Sequence, residues 1–330
     1  MALTISAAFP PGLDTPDHVA LAEELGYERA WLYDSPALYH DVWMTLARAA
    51  ERTATIGLGP AVLVPSLRHP MVNAAAIATL AELAPGRVSV ALGAGFTGRH
   101  VLGHRAMRWD DVRAYVTALR GLLAGETVEW EGRPIAMIHP EGYGAPRPLD
   151  VPILLGADGP RGTAAAAELG DGAFAAGLPN AGAAGRWSAL LQFGTVLDEG
   201  EDPAADRVVE CAGPAVAVAL HATYERGGAA AVDALPGGAT WRAALEALPE
   251  DTRHLATHAG HLVELSDRDR EALAEGAAAV IPMFTLTAPA AEIRGRLDGF
   301  AGMGVTEVAF QPGGEDVERE LRVFAAAANG

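Results

Sequence analysis

The sequence predicts an α/β protein built as a closed (β/α)₈ TIM barrel, and two observations lead to this fold class. Strand-like and helix-like segments alternate almost throughout the 330 residues. Eight strand-like segments can be counted, and such alternation implies parallel strands with the helices outside. An open doubly wound sheet is the competing fold, but it would want a glycine-rich turn after the first strand, and FPPGLDTP is a poor one.

The predicted strands share a high content of apolar and β-compatible residues. They are LTISAAF (3–9), ERAWLYD (28–34), TIGLGPAVL (55–63), RVSVALG (87–93), VPILLGA (151–157), GAFAAGL (172–178), RVVECAGPAVAVAL (207–220) and VTEVAFQP (305–312). TVEWEGRPIAMI, with its Glu131-Gly132 turn, predicts a short hairpin after strand four. Residues 221 to about 285 are predicted to form a mostly helical insert before strand eight, within one domain over 1–330.

The helices are predicted from capping residues and from spacing. Thr15 can cap the first helix, with Pro16 at its first position and Gly26 at its end. DVWMTLARAAERT and the alanine-rich run MVNAAAIATLAEL supply the next two. Apolar residues after strand four recur every three or four positions, which places them on one helical face: Trp109, Val112, Val116, Leu119 and Leu123.

Composition excludes several classes of function. The 24 basic and 42 acidic residues give a net charge of −18, which argues against nucleic acid or an anionic membrane as a partner. Every basic residue is arginine, so Schiff-base chemistry and a P-loop are both excluded. The single cysteine, Cys211, excludes an intrachain disulfide. MALTISAAFPPG lacks a basic segment and no apolar run reaches membrane-spanning length, so we expect a cytoplasmic protein with a small-molecule substrate.

In a barrel of this type, the C-terminal ends of the strands are the expected place for chemistry. Candidate proton donors there are Tyr39 and His40 after strand two and His69 after strand three. GAGFTGRHVLG and GADGPRG follow the next two strands, and such glycine-rich turns let a ligand approach backbone amides. Four arginines fall on or near these turns and predict an anion-binding ring: Arg68, Arg99, Arg105 and Arg161.

Three histidines in HLATHAGHLVEL, namely His254, His258 and His261, are spaced by four and three residues. On one helix they would share a face, and an insert arching over the barrel mouth would turn that face toward the substrate. Surface or capping roles are the alternative. Three histidines can ligate zinc, but Glu264 is the only nearby carboxylate, and no metal site is predicted.

Several stretches taken in order resemble the luciferase-like family of flavin- and deazaflavin-dependent oxidoreductases. They are RHPMVNAAAIATLAELAPGRVSVALGAG, DVRAYVTALRGLLAGETVEWEGRPI, VPILLGADGPRGTAAAAELGDGAF and the closing VTEVAFQP. The resemblance is strongest to the branch with methylenetetrahydromethanopterin reductase and related coenzyme F420 enzymes. It covers roughly residues 1–180 and 285–325 and fades over 181–284.

This resemblance implies a cofactor site at the strand ends. Strand three would end in a bulge, commonly with a non-prolyl cis peptide, that presses on one face of the ring, here at Ala61–Val62. Further implied contacts are to the ring edge, the polar tail and the phosphate: Asp34, Ser35, Gly95, Arg99, Gly156, Ala157, Asp158 and Gly159. Arg161, with Arg99 and Arg105 along one groove, would favour the long anionic tail of coenzyme F420 over FMN.

The implied activity is hydride transfer between coenzyme F420 and an organic substrate. The related glucose-6-phosphate dehydrogenases resemble GTGE at the fourth strand end and use that glutamate, whereas this chain has GAGF, with Phe96 at the substrate side. An apolar residue there favours reduction of C=C or C=N over alcohol oxidation. One alternative is an FMN-dependent monooxygenase with a separate flavin reductase; another is a non-catalytic flavin-binding protein. A homodimer packed through barrel helices is compatible with the resemblance.

Overall fold

The computed structural model describes residues 3–140, 142–180, 182 and 185–329. Its strands are numbered in chain order. They are β1 (Thr4–Phe9), β2 (Arg29–Leu32), β3 (Gly57–Pro60), β4 (Val90–Gly93), β5 (Val128–Trp130), β6 (Arg133–Ile135), β7 (Ile153–Gly156), β8 (Gly172–Ala176), β9 (Trp187–Phe193), β10 (Val196–Leu197), β11 (Ala288–Pro289) and β12 (Glu307–Gln311).

The helices are numbered in the same way. They are α1 (Thr15–Glu24), α2 (Val42–Arg52), α3 (Pro70–Leu83), α4 (Thr97–His100), α5 (Trp109–Ala124), α6 (Pro160–Leu169), α7 (Asp206–Asp233), α8 (Gly238–Glu246), α9 (Arg253–Thr257), α10 (Asp267–Ala274), α11 (Ile281–Phe284), α12 (Ala290–Gly302) and α13 (Val317–Asn329). Short 3₁₀ helices cover Pro65–Leu67 and Ala277–Val280. None of the helices described combines the length and apolarity that crossing a membrane requires.

The main sheet is a parallel barrel, which confirms the predicted fold class. Its strand order is β3-β2-β1-β12-β9-β8-β7-β4, and each neighbouring pair is parallel. Parallel bridges from Leu58 to Val88 and from Leu63 to Leu92 join β3 to β4 and close it. Outside the barrel, β5 and β6 form the predicted antiparallel hairpin, with Glu131 and Gly132 both at positive φ in its turn.

The predicted seventh strand, 207–220, was wrong. These residues lie in α7, and the seventh barrel strand is β9, which the sequence analysis missed. Buried residues of α7 recur every four positions at Val208, Ala212, Val216 and Leu220, a helical period. A Val- and Ala-rich run is equally compatible with a strand and a buried helix when only composition is considered, and Pro214 within the run did not prevent the helix.

The insert before the last strand therefore begins earlier than predicted, directly after β9. Its two ends are held together at a neck, where β10 pairs in parallel with β11. The amide of Leu286 donates to the carbonyl of Phe193 over 2.6 Å. Gly194 fits there because a Cβ on it would lie 2.6 Å from the carbonyl carbon of Leu286. The chain thus leaves and re-enters the barrel at one point.

A buried carboxylate organises the opposite, N-terminal end of the barrel. Glu307, the first residue of β12, is 1% exposed. Its carboxylate accepts hydrogen bonds from Arg29 Nη1 at 3.0 Å, Trp31 Nε1 at 2.8 Å and Trp187 Nε1 at 2.7 Å. The Arg29 guanidinium also stacks 4.5 Å from the Trp187 ring. One side chain therefore connects β12 with residues of β2 and β9 by charge-assisted hydrogen bonds.

Acid should weaken the hydrogen bonds that a second carboxylate, that of Glu23, accepts from the residues just before β3. Burial raises the pKa of Glu23, but hydrogen bonds from the Thr55 side chain and backbone, and from the amides of Ile56 and Ala54, outweigh it and lower the pKa to about 2. Because the folded pKa lies below the unfolded one, this contribution is complete above about pH 5 and is lost toward pH 2. We expect Glu23→Gln to reduce the free energy of unfolding by about 1–2 kcal/mol at pH 7, after allowance for solvent screening.

Urea denaturation of both proteins between neutral pH and about pH 3 measures this difference. The gap between wild type and Glu23→Gln should narrow as the pH falls. A gap that stays constant would show that the Glu23 charge contributes nothing to the effect.

Candidate active site

The third barrel strand ends in a bulge that projects into the mouth. The Ala61–Val62 peptide is cis, as the family resemblance implied. The two methyl groups of Val62 lie over Gly93 at the end of β4 and Gly156 at the end of β7. A Cβ on either glycine would lie 2.9 Å from a Val62 methyl carbon. The bulge therefore depends on two neighbouring strand ends that carry no side chain.

Beside the bulge lies a buried ion pair between the loops after β2 and β3. Asp34 is 4% exposed and accepts a 2.6 Å hydrogen bond from Arg68, whose other Nη contacts Asp41 at 2.8 Å. Burial raises the pKa of Asp34, and the Arg68 guanidinium opposes that shift. Ser35 is half-buried, and its hydroxyl would lie 3.5 Å from a Cβ on Gly98. Asp34 and Ser35 thus lie together at the mouth.

The loop after β4 places Arg99 close to the bulge. Gly95 has a φ of +80°, and a Cβ on it would lie 2.5 Å from Val64, so a side chain would be strained and crowded there. Arg99 donates to the Ser66 hydroxyl at 2.5 Å and to the carbonyl of Arg105 at 2.6 Å. These bonds fix a partly exposed guanidinium between the third and fourth strand ends.

The loop after β7 contributes a glycine turn and the start of α6. Asn180 donates to the carbonyl of Ala157 at 2.6 Å, and a Cβ on Gly159 would meet open space. Burial raises the pKa of Asp158, which accepts from the Ala176 amide and lies 3.9 Å from Arg226. Arg161 is exposed at the first turn of α6.

The three candidate proton donors occupy different surroundings. Tyr39 is mostly buried, its hydroxyl donates to the carbonyl of His261 at 2.5 Å, and burial raises its pKa. His40 is exposed at the rim. His69 caps α3, its Nδ1 accepting from the Met71 amide at 3.2 Å, and its ring lies edge-on to Trp130 of the hairpin. Of the three, Tyr39 is in contact with the insert at the mouth.

A segment of the insert, residues 258–262, lies across the mouth; we call it the mouth segment. Besides the Tyr39 bond, the His261 ring contacts the Thr97 hydroxyl at 3.2 Å. The Leu262 carbonyl accepts from Gln311 at 2.9 Å. The Leu262 side chain packs against the apolar residues inside the barrel. The segment thereby touches the loops after β2 and β4 and the end of β12.

Several residues that surround Phe96 were not predicted from the sequence. The Arg226 guanidinium lies 5.0 Å over the Phe96 ring, and His100 meets the same ring edge-on at 4.7 Å. Glu225 accepts from His100 at 2.7 Å and from His258 at 2.9 Å. Burial raises the pKa of Glu225, but these two histidines outweigh it and lower the pKa to about 2. Glu225 and Arg226 follow the stretch taken for a strand, so their place at the mouth was not foreseen.

The predicted histidine trio does not share one helical face. Helix α9 ends at Thr257, so His258 and His261 lie beyond it in a turn, where Gly260 has positive φ. The His254 ring instead lies beside Gly103, 3.5 Å from where a Cβ on that glycine would be. His258 and His261 are joined by His221 of α7, a residue the sequence analysis did not select.

Leu262 has a φ of +60°, a conformation that disfavours any side chain with a Cβ. Leu262→Ala keeps that strain and loses the packing in the barrel, whereas Leu262→Gly loses the packing but relieves the strain. We therefore expect the glycine variant to be more stable than the alanine variant by about 1 kcal/mol. Urea denaturation of the two variants side by side measures the difference, and an alanine variant as stable as the glycine variant would contradict it.

The chain matches a known family over most of its length and individual curated relatives over about half of it. A family model described as luciferase-like monooxygenase matches residues 7–307. The 5,10-methylenetetrahydromethanopterin reductase of Archaeoglobus fulgidus is 34% identical over 161 residues, 47% of this chain and 46% of that protein. The F420-dependent hydroxymycolic acid dehydrogenase of Mycobacterium tuberculosis is 30% identical over 168 residues, 47% of this chain and 46% of that protein. This chain thus spans about half the length of the curated relatives it matches.

A solved structure is similar over the whole chain. The coenzyme F420-dependent tetrahydromethanopterin reductase of Methanopyrus kandleri superposes with a TM-score of 0.69 at 20% sequence identity, covering 100% of this chain and 99% of that one. At this identity the likeness concerns the fold. It agrees with the barrel described above.

Proposed function

Because the chain belongs to the luciferase-like monooxygenase family, we propose that it is a coenzyme F420-dependent oxidoreductase that transfers a hydride between the deazaflavin and an organic substrate. The observation that carries this proposal is the bulge at Ala61–Val62, which lies at the barrel mouth and packs on Gly93 and Gly156 at two neighbouring strand ends. The name of the Mycobacterium tuberculosis relative, an F420-dependent dehydrogenase, supports the deazaflavin.

The residues around the bulge fit a planar, polar-edged ring with an anionic tail. Asp34 and Ser35 provide polar groups at one edge of the bulge, with the Asp34 carboxylate held in place by Arg68. Arg99 provides a fixed guanidinium, and the turn at Gly159 leaves room for a phosphate near backbone amides and Arg161. The open turn at Gly159 allows a ligand to approach the backbone closely.

When bound, the deazaflavin would supply or accept the hydride, and the protein's own groups would bind the substrate and manage the proton. Tyr39 carries its hydroxyl proton at neutral pH, as tyrosines ordinarily do, and the carbonyl of His261 orients that hydroxyl. The mouth segment would limit the entry of water above the ring. His40, exposed at the rim, and His69, engaged as a helix cap, are the weaker candidates for proton donation.

Reduction of C=C or C=N is the direction we favour. The resemblance implies that Phe96 takes the place of the glutamate of the related glucose-6-phosphate dehydrogenases, and hydride addition needs a proton donor more than a strong base. Glu225 lies behind Phe96, but its two histidine partners keep it ionised and engaged. Screening unsaturated and imine substrates against alcohols, by following absorbance of the deazaflavin, tests this direction.

The experiment that tests the cofactor is direct binding of the purified protein to oxidised coenzyme F420 and, separately, to FMN. Fluorescence quenching of both ligands reports binding. Tight, selective binding of the deazaflavin is the expected result. Selective FMN binding would instead favour a monooxygenase that receives reduced flavin from a separate reductase, and failure of both ligands to bind would overturn the proposal.

A further inference from the structure

Three histidines meet inside the insert, where α7 faces the mouth segment. His221 lies on α7, while His258 and His261 follow α9. Their exposed fractions are 1%, 0% and 8%. Burying three imidazoles together is unusual, because each ring carries two nitrogens that require hydrogen-bond partners away from water. The cluster is separate from the proposed cofactor contacts, although His261 also reaches Thr97 at the mouth.

The three rings are arranged around a common centre. Their centroids are separated by 5.6 Å (His221 to His258), 6.0 Å (His221 to His261) and 5.5 Å (His258 to His261). One nitrogen from each ring lies within 4.8 Å of the other two. Because zinc–nitrogen bonds are about 2.0–2.1 Å long, three imidazoles around one tetrahedral ion have centroids roughly 5 Å apart. A small inward shift of side chains would close this triangle on an ion.

In this cluster the polar contacts are made by Nε2 atoms and not by Nδ1 atoms. Nε2 of His258 contacts Glu225 at 2.9 Å, and Nε2 of His261 contacts Thr97 at 3.2 Å. Nε2 of His221 faces Asp269 at 3.9 Å. Among the residues that the structure describes, Nδ1 of each of these three histidines has no hydrogen-bond partner, and neither has Nε2 of His221. His258 and His261 thus show the pattern of metal-binding histidines, in which one nitrogen binds the metal and the other is directed to a carboxylate or another polar group.

We propose that His221, His258 and His261 bind one divalent transition-metal ion of the zinc type. Three neutral imidazoles form a recognised ligand set, which leaves a fourth position for water or another small ligand. Glu225 acts as an outer partner that orients His258, because both its oxygens are already engaged by His258 and His100. The ion would join α7 to the mouth segment and so stiffen the insert over the barrel mouth.

The test is metal binding by the full-length protein after treatment with a chelator. Titration calorimetry with Zn²⁺ should show a single equivalent bound, and Zn²⁺ should raise the melting temperature. His221→Gln and His261→Gln should abolish this binding. Glu225→Gln should weaken it by about 10–100-fold, as loss of an outer partner does. His254→Gln is the matched control, because His254 belongs to the same stretch but lies beside Gly103, and it should bind as wild type does.

Co²⁺ provides a readout that needs no variant. Intense visible absorption bands of a four-coordinate site should appear on adding Co²⁺ to the native protein, and Zn²⁺ should abolish them. This measurement decides the question if circular dichroism shows that the histidine variants do not fold. Absence of a stoichiometric Zn²⁺ site, a weak six-coordinate Co²⁺ spectrum, or unchanged affinity in folded His261→Gln would each overturn the proposal. None of these outcomes depends on which cofactor the barrel binds.

Discussion

Arg99→Glu is expected to weaken binding of coenzyme F420 by about 30-fold or more, while the affinity for FMN changes by no more than about threefold. One charge-assisted contact contributes roughly 1.5–3 kcal/mol, and reversing the charge replaces attraction by repulsion of the tail. The guanidinium is held by Ser66 and the carbonyl of Arg105, so it is already positioned for an anion. Paired fluorescence titrations of the two cofactors measure the contrast.

The control for Arg99→Glu is Arg108→Glu, which makes the same change of net charge at an exposed position next to Asp110. It should leave both affinities nearly unchanged, because exposed charges are well screened at physiological salt. Equal losses of coenzyme F420 and FMN in Arg99→Glu would count against the deazaflavin tail as the partner of this arginine. A loss of similar size in Arg108→Glu would indicate a long-range charge effect.

Glu307→Ala should lower the free energy of unfolding by about 3–5 kcal/mol, the range observed when one partner of a buried ion pair is removed. The change leaves the guanidinium of Arg29 uncompensated and removes the acceptor of both indole N–H groups. It also leaves a void under the start of β12. Urea denaturation followed by tryptophan fluorescence measures the loss directly, because Trp31 and Trp187 lie at the altered site.

One further variant separates charge from shape at Glu307, and a second variant at an exposed residue serves as a control. Glu307→Gln keeps the volume and one acceptor oxygen, so its destabilisation should be clearly smaller than that of the alanine variant. Glu318→Ala, at an exposed position of α13, should change the stability by less than about 0.5 kcal/mol. Folded Glu307→Ala should still bind the cofactor, since Glu307 lies at the end of the barrel opposite the mouth. Wild-type stability of Glu307→Ala would show that the buried carboxylate is not a structural centre.

The first half of the barrel could be predicted from the sequence because its signals are local. Each strand up to β4 is a short apolar run bounded by turns and followed by a helix with its own cap or face. The bulge at Ala61–Val62 was located by resemblance rather than by any physical signal in the residues, yet the structure has the cis peptide there. Local patterns and resemblance together predicted this half of the barrel and the bulge that follows β3.

The prediction failed in the later part of the chain, and the reason can be identified. Valine and alanine are common in both strands and buried helices, so the run at 207–220 was assigned to the wrong element, and β9 was overlooked. Because of that error, α7 was not predicted as one long helix. His221, Glu225 and Arg226 lie near the mouth because they belong to this helix. Contacts of this kind depend on tertiary packing and leave no periodic trace in the sequence.

The neck at Gly194 has an evolutionary consequence. The β10–β11 pair and the bond between Phe193 and Leu286 bring the two ends of the insert together, and the entropic cost of closing such a loop grows only slowly with its length. A cassette of different length can be joined at this neck, provided that it replaces the contacts that the mouth segment makes with Tyr39 and Gln311. Recombination at the neck thus offers a route to different contacts over the mouth, with the eight barrel strands unchanged.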